Sequence, residues 1–121
     1  MTTFSWIAMT LAGGLGAVLR LVVDSAVKSR LGARFPYGTL VVNLSGAFLL
    51  GLVTSAALPS PMSLIVGTGM IGAYTTFSTW MLQTYELADG RELRYAAANI
   101  VIPAAGGLAA AALGYCLGAL V

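Results

Sequence analysis

The amino-acid sequence predicts an all-α membrane protein, with four transmembrane helices in a single domain over residues 1–121. The first observation is composition: 59% of the 121 residues are hydrophobic and 8% are charged, where a soluble domain carries roughly 25% charged residues. The second is that the charged residues fall in clusters that separate long uncharged runs. The third is a pair of closely spaced prolines that divides the longest run. A mean hydropathy of +0.92 agrees with lipid as the surrounding solvent.

The first predicted helix covers about residues 4–24. Residues 1–19 carry no charge and Arg20 is the first charged residue, so the stretch reaches the length of about 20 apolar residues that a transmembrane helix needs. A cleaved signal peptide would begin with basic residues, whereas residues 1–10 contain no Lys or Arg. We therefore expect this helix to be retained.

The other helices come from two further uncharged runs. Residues 35–85 are long enough for two helices, and Pro59 and Pro61 divide them, because proline lacks a backbone N–H and restricts the residue before it. No charged residue follows Arg94, which leaves a last apolar run for the fourth helix. The four predicted helices cover about residues 4–24, 38–58, 62–86 and 95–120.

The basic residues are distributed on one side only. All six Lys and Arg residues lie in or beside the loops at 25–37 and 87–94. The other side, with both termini and the proline turn, has none. Because basic residues favour the cytoplasmic side of a membrane, we expect both loops in the cytoplasm and both termini outside. The chain is then a multi-pass protein of the cell membrane, plasma or inner.

Missing residue types exclude several functions. The chain has no His and a single Cys, Cys116, which excludes His-based catalysis, an internal disulfide and a His or Cys metal cluster. Without a nucleophile–base pair, an enzyme is not expected. A net charge of +2 gives no indication of a nucleic-acid partner. The centres of the predicted helices lack a carboxylate, which argues against a proton-coupled small-molecule exporter as a rival function.

Near its middle, the third predicted helix contains an unusual segment, residues 72–80, in which four residues are Ser or Thr. One or two such hydroxyls could bond back to carbonyls of the preceding turn. Four of them beside Gly72 predict that the helix is broken near the bilayer midplane. Non-helical backbone at that depth must be buried in protein or line a water-filled cavity. A broken helix offers free carbonyls to a cation and helix N-termini to an anion.

Polar side chains at four-residue spacing accompany this segment. Thr39 and Asn43 share one face of the second helix, and Tyr95 and Asn99 share one face of the fourth. Asn43 could simply join two helices, or its neutral N–H donors could line a path. Arg20 could snorkel to the membrane interface or raise the anion concentration at a pore mouth. With no acidic residue near the centre of any predicted helix, these residues suit a small-anion pathway.

Glycine is abundant, with 15 residues, and small residues let transmembrane helices approach closely. Four short helices have little interface with one another, so we expect the chain to oligomerise. A membrane scaffold without transport activity would show the same glycine pattern and is the main alternative. It would not explain the hydroxyl cluster.

Three motifs resemble the small bacterial fluoride channels of the Fluc (CrcB) family. They are GGLGAVLR at 13–20, FPYGTLVVN at 35–43 and TTFST at 75–79, and the last is the most specific. The resemblance covers nearly the whole chain. It implies a fluoride-selective channel that exports the ion passively and so limits its toxicity. It also implies antiparallel dimers of four-helix subunits, with two pores and a structural sodium ion at the dimer centre.

The resemblance also implies roles for individual residues. The backbone carbonyls of Gly72 and Thr75 would bind sodium together with those of the dimer mate. Asn43 would donate to fluoride, and Phe77 would turn its positively polarised ring edge to the anion. The other residues expected along the anion path are Thr39, Ser78, Thr79, Trp80, Tyr95, Asn99 and Arg20.

Two positions depart from the family pattern. Trp80 stands where relatives usually have a second Phe, and Gln83 where many have Glu, and either change could alter one of the two pores. An antiparallel homodimer also requires each chain to insert in both orientations, whereas the one-sided Lys and Arg favour a single orientation. We therefore expect a heterodimer with an oppositely oriented paralogue, with a dual-topology homodimer as the alternative.

Overall fold

The structure, a computed structural model, describes all residues from 1 to 121. It is all-α, as the sequence predicts. A π-helical segment, which is a rare geometry that often marks functional sites, lies between the second and third α-helices. In chain order the elements are α1 (Thr3–Leu31), α2 (Tyr37–Ser55), the π-helical segment (Leu64–Ile71), α3 (Gly72–Tyr74), α4 (Ser78–Asp89) and α5 (Leu93–Gly118).

Three helices, α1, α2 and α5, are long and apolar enough to cross a membrane. Only 18 of the 121 residues are buried, and the buried hydrophobic side chains are few. Most large apolar side chains therefore lie on the outside of the bundle. Water would solvate so large an apolar surface poorly, whereas lipid solvates it well. The core is formed by Phe35, Val42, Ile71 and Ala96.

The connection between α1 and α2 is shorter in the structure than the first predicted loop, 25–37. α1 continues past residue 24 to Leu31. It ends at Gly32, which has a positive φ of 82° that residues with a side chain rarely adopt. The charges do not stop the helix, because Asp24 and Lys28 form an ion pair one turn apart, with 3.1 Å between Oδ2 and Nζ. Only residues beyond Leu31 connect α1 to α2.

The second predicted loop, 87–94, is also shorter in the structure. α4 continues to Asp89 and α5 begins at Leu93, so that only residues 90–92 connect them. The charged residues on both sides of this connection are helical. The charge clusters therefore mark the ends of the apolar segments and not the ends of the helices.

The stretch that corresponds to the third predicted helix, 62–86, is divided into shorter pieces. The π-helical segment leads directly into α3, which ends at Tyr74, and α4 begins at Ser78. Thr75 has extended backbone, with φ −80° and ψ 161°. We call residues 75–77 the link. None of the pieces alone reaches the length of about 20 residues that spans a bilayer.

Glycines bring the backbones of neighbouring helices into contact. A Cβ atom on Gly51 of α2 would overlap the carbonyl of Ala111 in α5, and a Cβ atom on Gly114 would overlap the carbonyl of Phe48 in α2. Gly16 similarly lies against the π-helical segment. Such contacts are typical of transmembrane helices. They fix α1, α2 and α5 around the third stretch and place the link beside the middle of α2.

Candidate functional site

Asn43 holds the link in place. Its Nδ2 atom donates to the carbonyl of Thr76, and its Oδ1 atom accepts from the Thr76 N–H, both at 2.8 Å. One side-chain amide thus satisfies both backbone groups of a residue that lacks helical partners. Because Asn43 lies on the continuous helix α2, a rigid element positions the non-helical one. The amide keeps a second Nδ2 proton that can bind a further acceptor.

This arrangement releases two backbone carbonyls from helical hydrogen bonding. In a continuous helix the Thr76 N–H would bond to the carbonyl of Gly72, four residues earlier, but it bonds to Asn43 instead. The N–H of Thr79 would bond to the carbonyl of Thr75, but it bonds to the Thr76 hydroxyl, at 3.2 Å. The Thr76 hydroxyl thereby caps the N-terminus of α4.

Gly72 and Thr75, the two predicted sodium ligands, consequently have carbonyls with spare lone pairs. The Gly72 carbonyl keeps a long contact of 3.5 Å with the Thr75 hydroxyl. The Thr75 carbonyl keeps a contact of 3.5 Å with Nη1 of Arg20. Each contact is at the outer limit of a hydrogen bond, and a carbonyl has two lone pairs. Both residues line a cavity of about 550 Å³ between α2 and the π-helical segment.

A small polar cavity of about 120 Å³ lies between α1, α2 and α4. It brings together three of the predicted path residues, Arg20, Thr39 and Thr79, with Thr76 of the link. Asp24 also lines it, and the Oδ1 atom of this carboxylate is buried without a hydrogen-bond partner. This carboxylate departs from the prediction, in which only neutral and basic groups line the path.

A second cavity, of about 380 Å³ and mostly apolar, contains three more predicted path residues, Asn43, Phe77 and Trp80. The Phe77 and Trp80 rings meet edge to face, with centroids 5.7 Å apart and planes at 87°. Phe77 is 68% exposed, so much of its ring has no partner within the chain. Pro103 of α5 also lines this cavity.

Asn99 lies at a contact between helices and lines neither of these two cavities. Its side chain is only 1% exposed. The Nδ2 atom donates to the Thr84 hydroxyl at 2.8 Å and more weakly to the Trp80 carbonyl at 3.4 Å. In return, Nε1 of Trp80 donates to the backbone carbonyl of Asn99. These bonds join α4 to α5 behind the aromatic pair.

Tyr95 and Ser78 also lie outside both cavities. Tyr95 packs edge-on against Phe35, with ring centroids 5.9 Å apart, and the guanidinium of Arg34 lies 5.1 Å from its ring centroid. This cation–π contact ties α5 to the connection between α1 and α2. Ser78 is exposed, and its hydroxyl is 3.4 Å from that of Thr76.

Sequence reasoning missed Thr76 and Thr84 as site residues. Thr76 lies within the hydroxyl-rich motif, but nothing in the local sequence indicates its pairing with Asn43, 33 positions away. Thr84 is four residues after Trp80, and its hydroxyl donates to the Trp80 carbonyl at 2.9 Å. That spacing is a signal that could have been used, because Thr hydroxyls commonly bond to the carbonyl one turn earlier.

The groups around the link suit ion coordination better than acid–base chemistry. Most are amides, hydroxyls, carbonyls and aromatic rings, which carry no charge, and the charged groups are Arg20 and Asp24 at the polar cavity. The chain contains no group of three or more His, Cys, Asp or Glu that could hold a metal ion through side chains. The site therefore offers neutral donors to an anion and carbonyl oxygens to a cation.

Comparison with known proteins gives concordant matches. The family model described as CrcB-like protein, Camphor Resistance (CrcB), matches residues 7–115. Fluoride-specific ion channel FluC 2 of Mycobacterium tuberculosis is 54% identical over 114 residues, covering 94% of this chain and 90% of that protein. FluC 2 of Mycolicibacterium paratuberculosis is 54% identical over 122 residues, with both chains covered completely. FluC 1 of Leifsonia xyli is 46% identical over 124 residues, covering 99% and 90%.

These matches agree with the fold and with the functional class that the sequence predicts. The relatives are named as ion channels, which confirms the prediction that the chain is not an enzyme. The matched family and the three helices of membrane-spanning length together indicate a multi-pass membrane protein. Because the family model covers most of the chain and the relatives cover nearly all of it, this protein belongs to the CrcB-like family of fluoride-specific ion channels.

Proposed function

We propose that this chain forms a fluoride-selective channel that lets fluoride leave the cell passively and so limits the toxicity of the ion. The names of its relatives support this proposal. The observation that carries it is the pairing of Asn43 with the backbone of Thr76. Non-helical backbone at membrane depth is tolerated when it lines a cavity, and a protein that served only as a scaffold would have no use for one.

The chemistry of the cavities suits fluoride. The ion is small and strongly hydrated, so a pore must replace water with several donors, and binding must stay weak enough for release. The neutral amide of Asn43 and the hydroxyls of Thr39 and Thr79 meet that requirement, and Phe77 adds a positively polarised ring edge. The positive charge of Arg20 would attract fluoride to the polar cavity, against the opposing charge of Asp24, which also lines this cavity and pairs with Lys28.

Thr76 makes the proposed path continuous, because it lines both the polar cavity and the mostly apolar cavity that contains Phe77 and Trp80. Fluoride would pass from Arg20 and the polar cavity, across the link, to Phe77 and Trp80. We propose that Ser78 and Tyr95 extend the polar track beyond the cavities. We assign Asn99 to the wall behind Trp80.

A structural sodium ion fits the freed carbonyls of Gly72 and Thr75. Sodium prefers neutral oxygen ligands, and two such carbonyls from each of two subunits would supply four. Bound there, the ion would neutralise carbonyl dipoles that converge at the subunit contact. Because both residues line the open cavity of about 550 Å³, a second subunit would complete the site.

We propose an antiparallel dimer in which the link lies near the bilayer midplane, with the loops in the cytoplasm and the termini outside. The six Lys and Arg residues lie on one side of the chain, which favours one orientation. This supports a heterodimer with an oppositely oriented paralogue over a homodimer.

Efflux from liposomes tests the function. The purified chain is reconstituted, and release of fluoride or chloride is followed with ion-selective electrodes. We expect rapid loss of fluoride with chloride retained, either from the chain alone or after co-reconstitution with a paralogue of opposite charge bias. Silence in both preparations would overturn the proposal and favour the scaffold.

Sodium removal tests the proposed cation site independently of flux. Thermal unfolding of the purified protein is compared in sodium and in N-methylglucamine at equal ionic strength. A bound sodium at 100 times its dissociation constant would stabilise the folded state by about 2.7 kcal/mol. Identical unfolding in the two salts would contradict a structural sodium ion.

Orientation can be mapped with a single introduced cysteine at Gly90 in a Cys116→Ala background. Gly90 is exposed in the connection between α4 and α5. We expect a membrane-impermeant thiol reagent to label it only after the cytoplasmic side is opened. Equal labelling from both sides would instead indicate a dual-topology homodimer.

A further inference from the structure

Pro103 leaves one backbone carbonyl of α5 without a helical partner. Proline has no N–H, so the carbonyl four residues earlier, that of Asn99, cannot make its usual helical bond. Pro103 lies inside α5 and is buried. In the structure the indole Nε1 of Trp80 donates to this carbonyl. A side chain of α4 therefore takes the place of the missing N–H.

The contact is reciprocal, which fixes Trp80 at both its side chain and its backbone. The Asn99 side chain donates to the Trp80 carbonyl at 3.4 Å and to the Thr84 hydroxyl at 2.8 Å. The Thr84 hydroxyl itself donates to the Trp80 carbonyl at 2.9 Å. Asn99 is 1% exposed, so water does not compete for these bonds.

We propose that Pro103 is a positioning residue that fixes the indole of Trp80 in the wall of the anion path. This inference rests on the proposed channel function and extends it to the wall of the path at Trp80. Trp80 and Pro103 line the same cavity as Asn43 and Phe77. The bond to Asn99 directs the indole N–H away from the path and holds the ring edge to face with Phe77.

The consequence for conduction follows from the strength of an indole N–H donor. A free N–H in the path would bind fluoride more tightly than ring C–H groups do, and slow release would reduce conduction. An ordinary residue at position 103 would supply its own N–H to the Asn99 carbonyl. That N–H would compete with the Trp80 indole for the Asn99 carbonyl, and the weakened bond would let the indole turn toward the cavity. Pro103 thus keeps the indole N–H of Trp80 out of the anion path and preserves conduction.

The indole N–H itself provides the first test. The ¹H–¹⁵N resonance of Trp80 is recorded in ¹⁵N-tryptophan-labelled protein with Trp6→Phe, and Trp80→Phe confirms its assignment. We expect Pro103→Ala to move this resonance upfield and to speed its exchange with water. Pro103→Gly restores the same N–H and serves if Pro103→Ala does not fold. An unchanged resonance in a folded variant would overturn the proposal, whatever the flux.

A double-mutant cycle in fluoride efflux provides the second test. Loss of one positioning bond corresponds to about a tenfold change in rate, so Pro103→Ala should slow efflux about tenfold when residue 80 is Trp. In a Trp80→Phe background the same change should alter efflux less than about twofold, because no indole remains to be released. An equal effect in both backgrounds would show that Pro103 acts only through helix shape. If the wild-type protein conducts no fluoride, either alone or with a paralogue of opposite charge bias, the function fails while the resonance test still decides the positioning.

Discussion

The interface between α2 and α5 and the link between α3 and α4 are held by opposite means. Along α2 and α5 the backbones touch at glycines, and the contact depends on the absence of side chains at Gly51 and Gly114. At the link the helical backbone stops, and a single polar side chain, Asn43, pairs with the non-helical peptide groups of Thr76. Both regions use α2, which therefore serves as the common frame.

The difference shows how a small membrane protein separates stability from function. Close glycine packing relies on many weak contacts spread along two helices, so a substitution that forces the helices apart should destabilise the whole fold. The link relies on two hydrogen bonds to one amide, so its loss should remove function with less damage to the fold. Substitutions in the two regions are expected to separate these outcomes.

Gly114→Ala should have the largest effect, because it disrupts the close backbone contact between α2 and α5. A Cβ atom there would overlap the Phe48 carbonyl, and backbone cannot move aside as a flexible side chain can. Overpacking typically costs 1–3 kcal/mol and sometimes more, and we expect about 3 kcal/mol here. Thermal unfolding and the yield of monodisperse protein in detergent measure the loss.

Gly14→Ala is the matched control for this change. A Cβ atom at Gly14 meets nothing within 4 Å, so the unfolding temperature should stay the same or rise slightly with the better helix propensity of Ala. Equal destabilisation by both substitutions would mean that glycine content, rather than this backbone contact, sets the stability.

Asn43→Ala should have the next largest effect, on flux more than on unfolding. Without the amide, the Thr76 N–H is free to bond to the Gly72 carbonyl and continue the helix. Two hydrogen bonds to the link are lost, and at about 1.4 kcal/mol for each the fluoride efflux should fall about 100-fold. Sodium-dependent stabilisation should disappear as well, because one proposed ligand is consumed.

Ser45→Ala is the control for Asn43→Ala on the same helix. The Ser45 hydroxyl is 2.9 Å from the Tyr74 hydroxyl, so it also contacts the third stretch but does not touch the link. We expect efflux within about threefold of the wild-type rate, as suits one modest side-chain hydrogen bond. If Ser45→Ala reduced efflux as much as Asn43→Ala, the link would not be the sensitive element.

Gly46→Ala probes the place where the two regions meet. Gly46 is on α2, and a Cβ atom there would overlap the methyl group of Thr75 in the link. Thr75 must shift, which should cost about 1–2 kcal/mol and displace its carbonyl from the proposed sodium site. We expect a moderate loss of both unfolding temperature and sodium dependence. A loss of unfolding temperature alone would assign Gly46 to packing only.

The sequence predicted much of this organisation and missed the connections between distant residues. Composition and charge clusters gave the all-α class, and the hydroxyl-rich motif drew attention to residues 72–80. The pairing of Asn43 with Thr76 could not be predicted, because it joins two helices and leaves no periodic pattern in either. The exchange of bonds between Trp80 and Asn99 was missed for the same reason. Helix ends were misplaced because ion pairs such as Asp24–Lys28 extend a helix beyond the membrane.

Thr76→Val should have the smallest effect, and it tests the hydroxyl of Thr76 separately from the backbone pairing with Asn43. Valine has nearly the same side-chain shape as threonine and keeps the backbone bonds to Asn43, but it lacks the hydroxyl that accepts from the Thr79 N–H. Loss of such a cap costs about 1 kcal/mol. The Thr79 N–H would then bond to the Thr75 carbonyl, as in a continuous helix, so sodium should stabilise the variant less than the wild type.

Thr10→Val is the control for this change. It removes an exposed hydroxyl bonded to the Trp6 carbonyl and should leave the sodium effect intact. If both variants kept the full sodium effect, the Thr75 carbonyl would not be a sodium ligand, and the pairing of Asn43 with Thr76 would serve only the anion path.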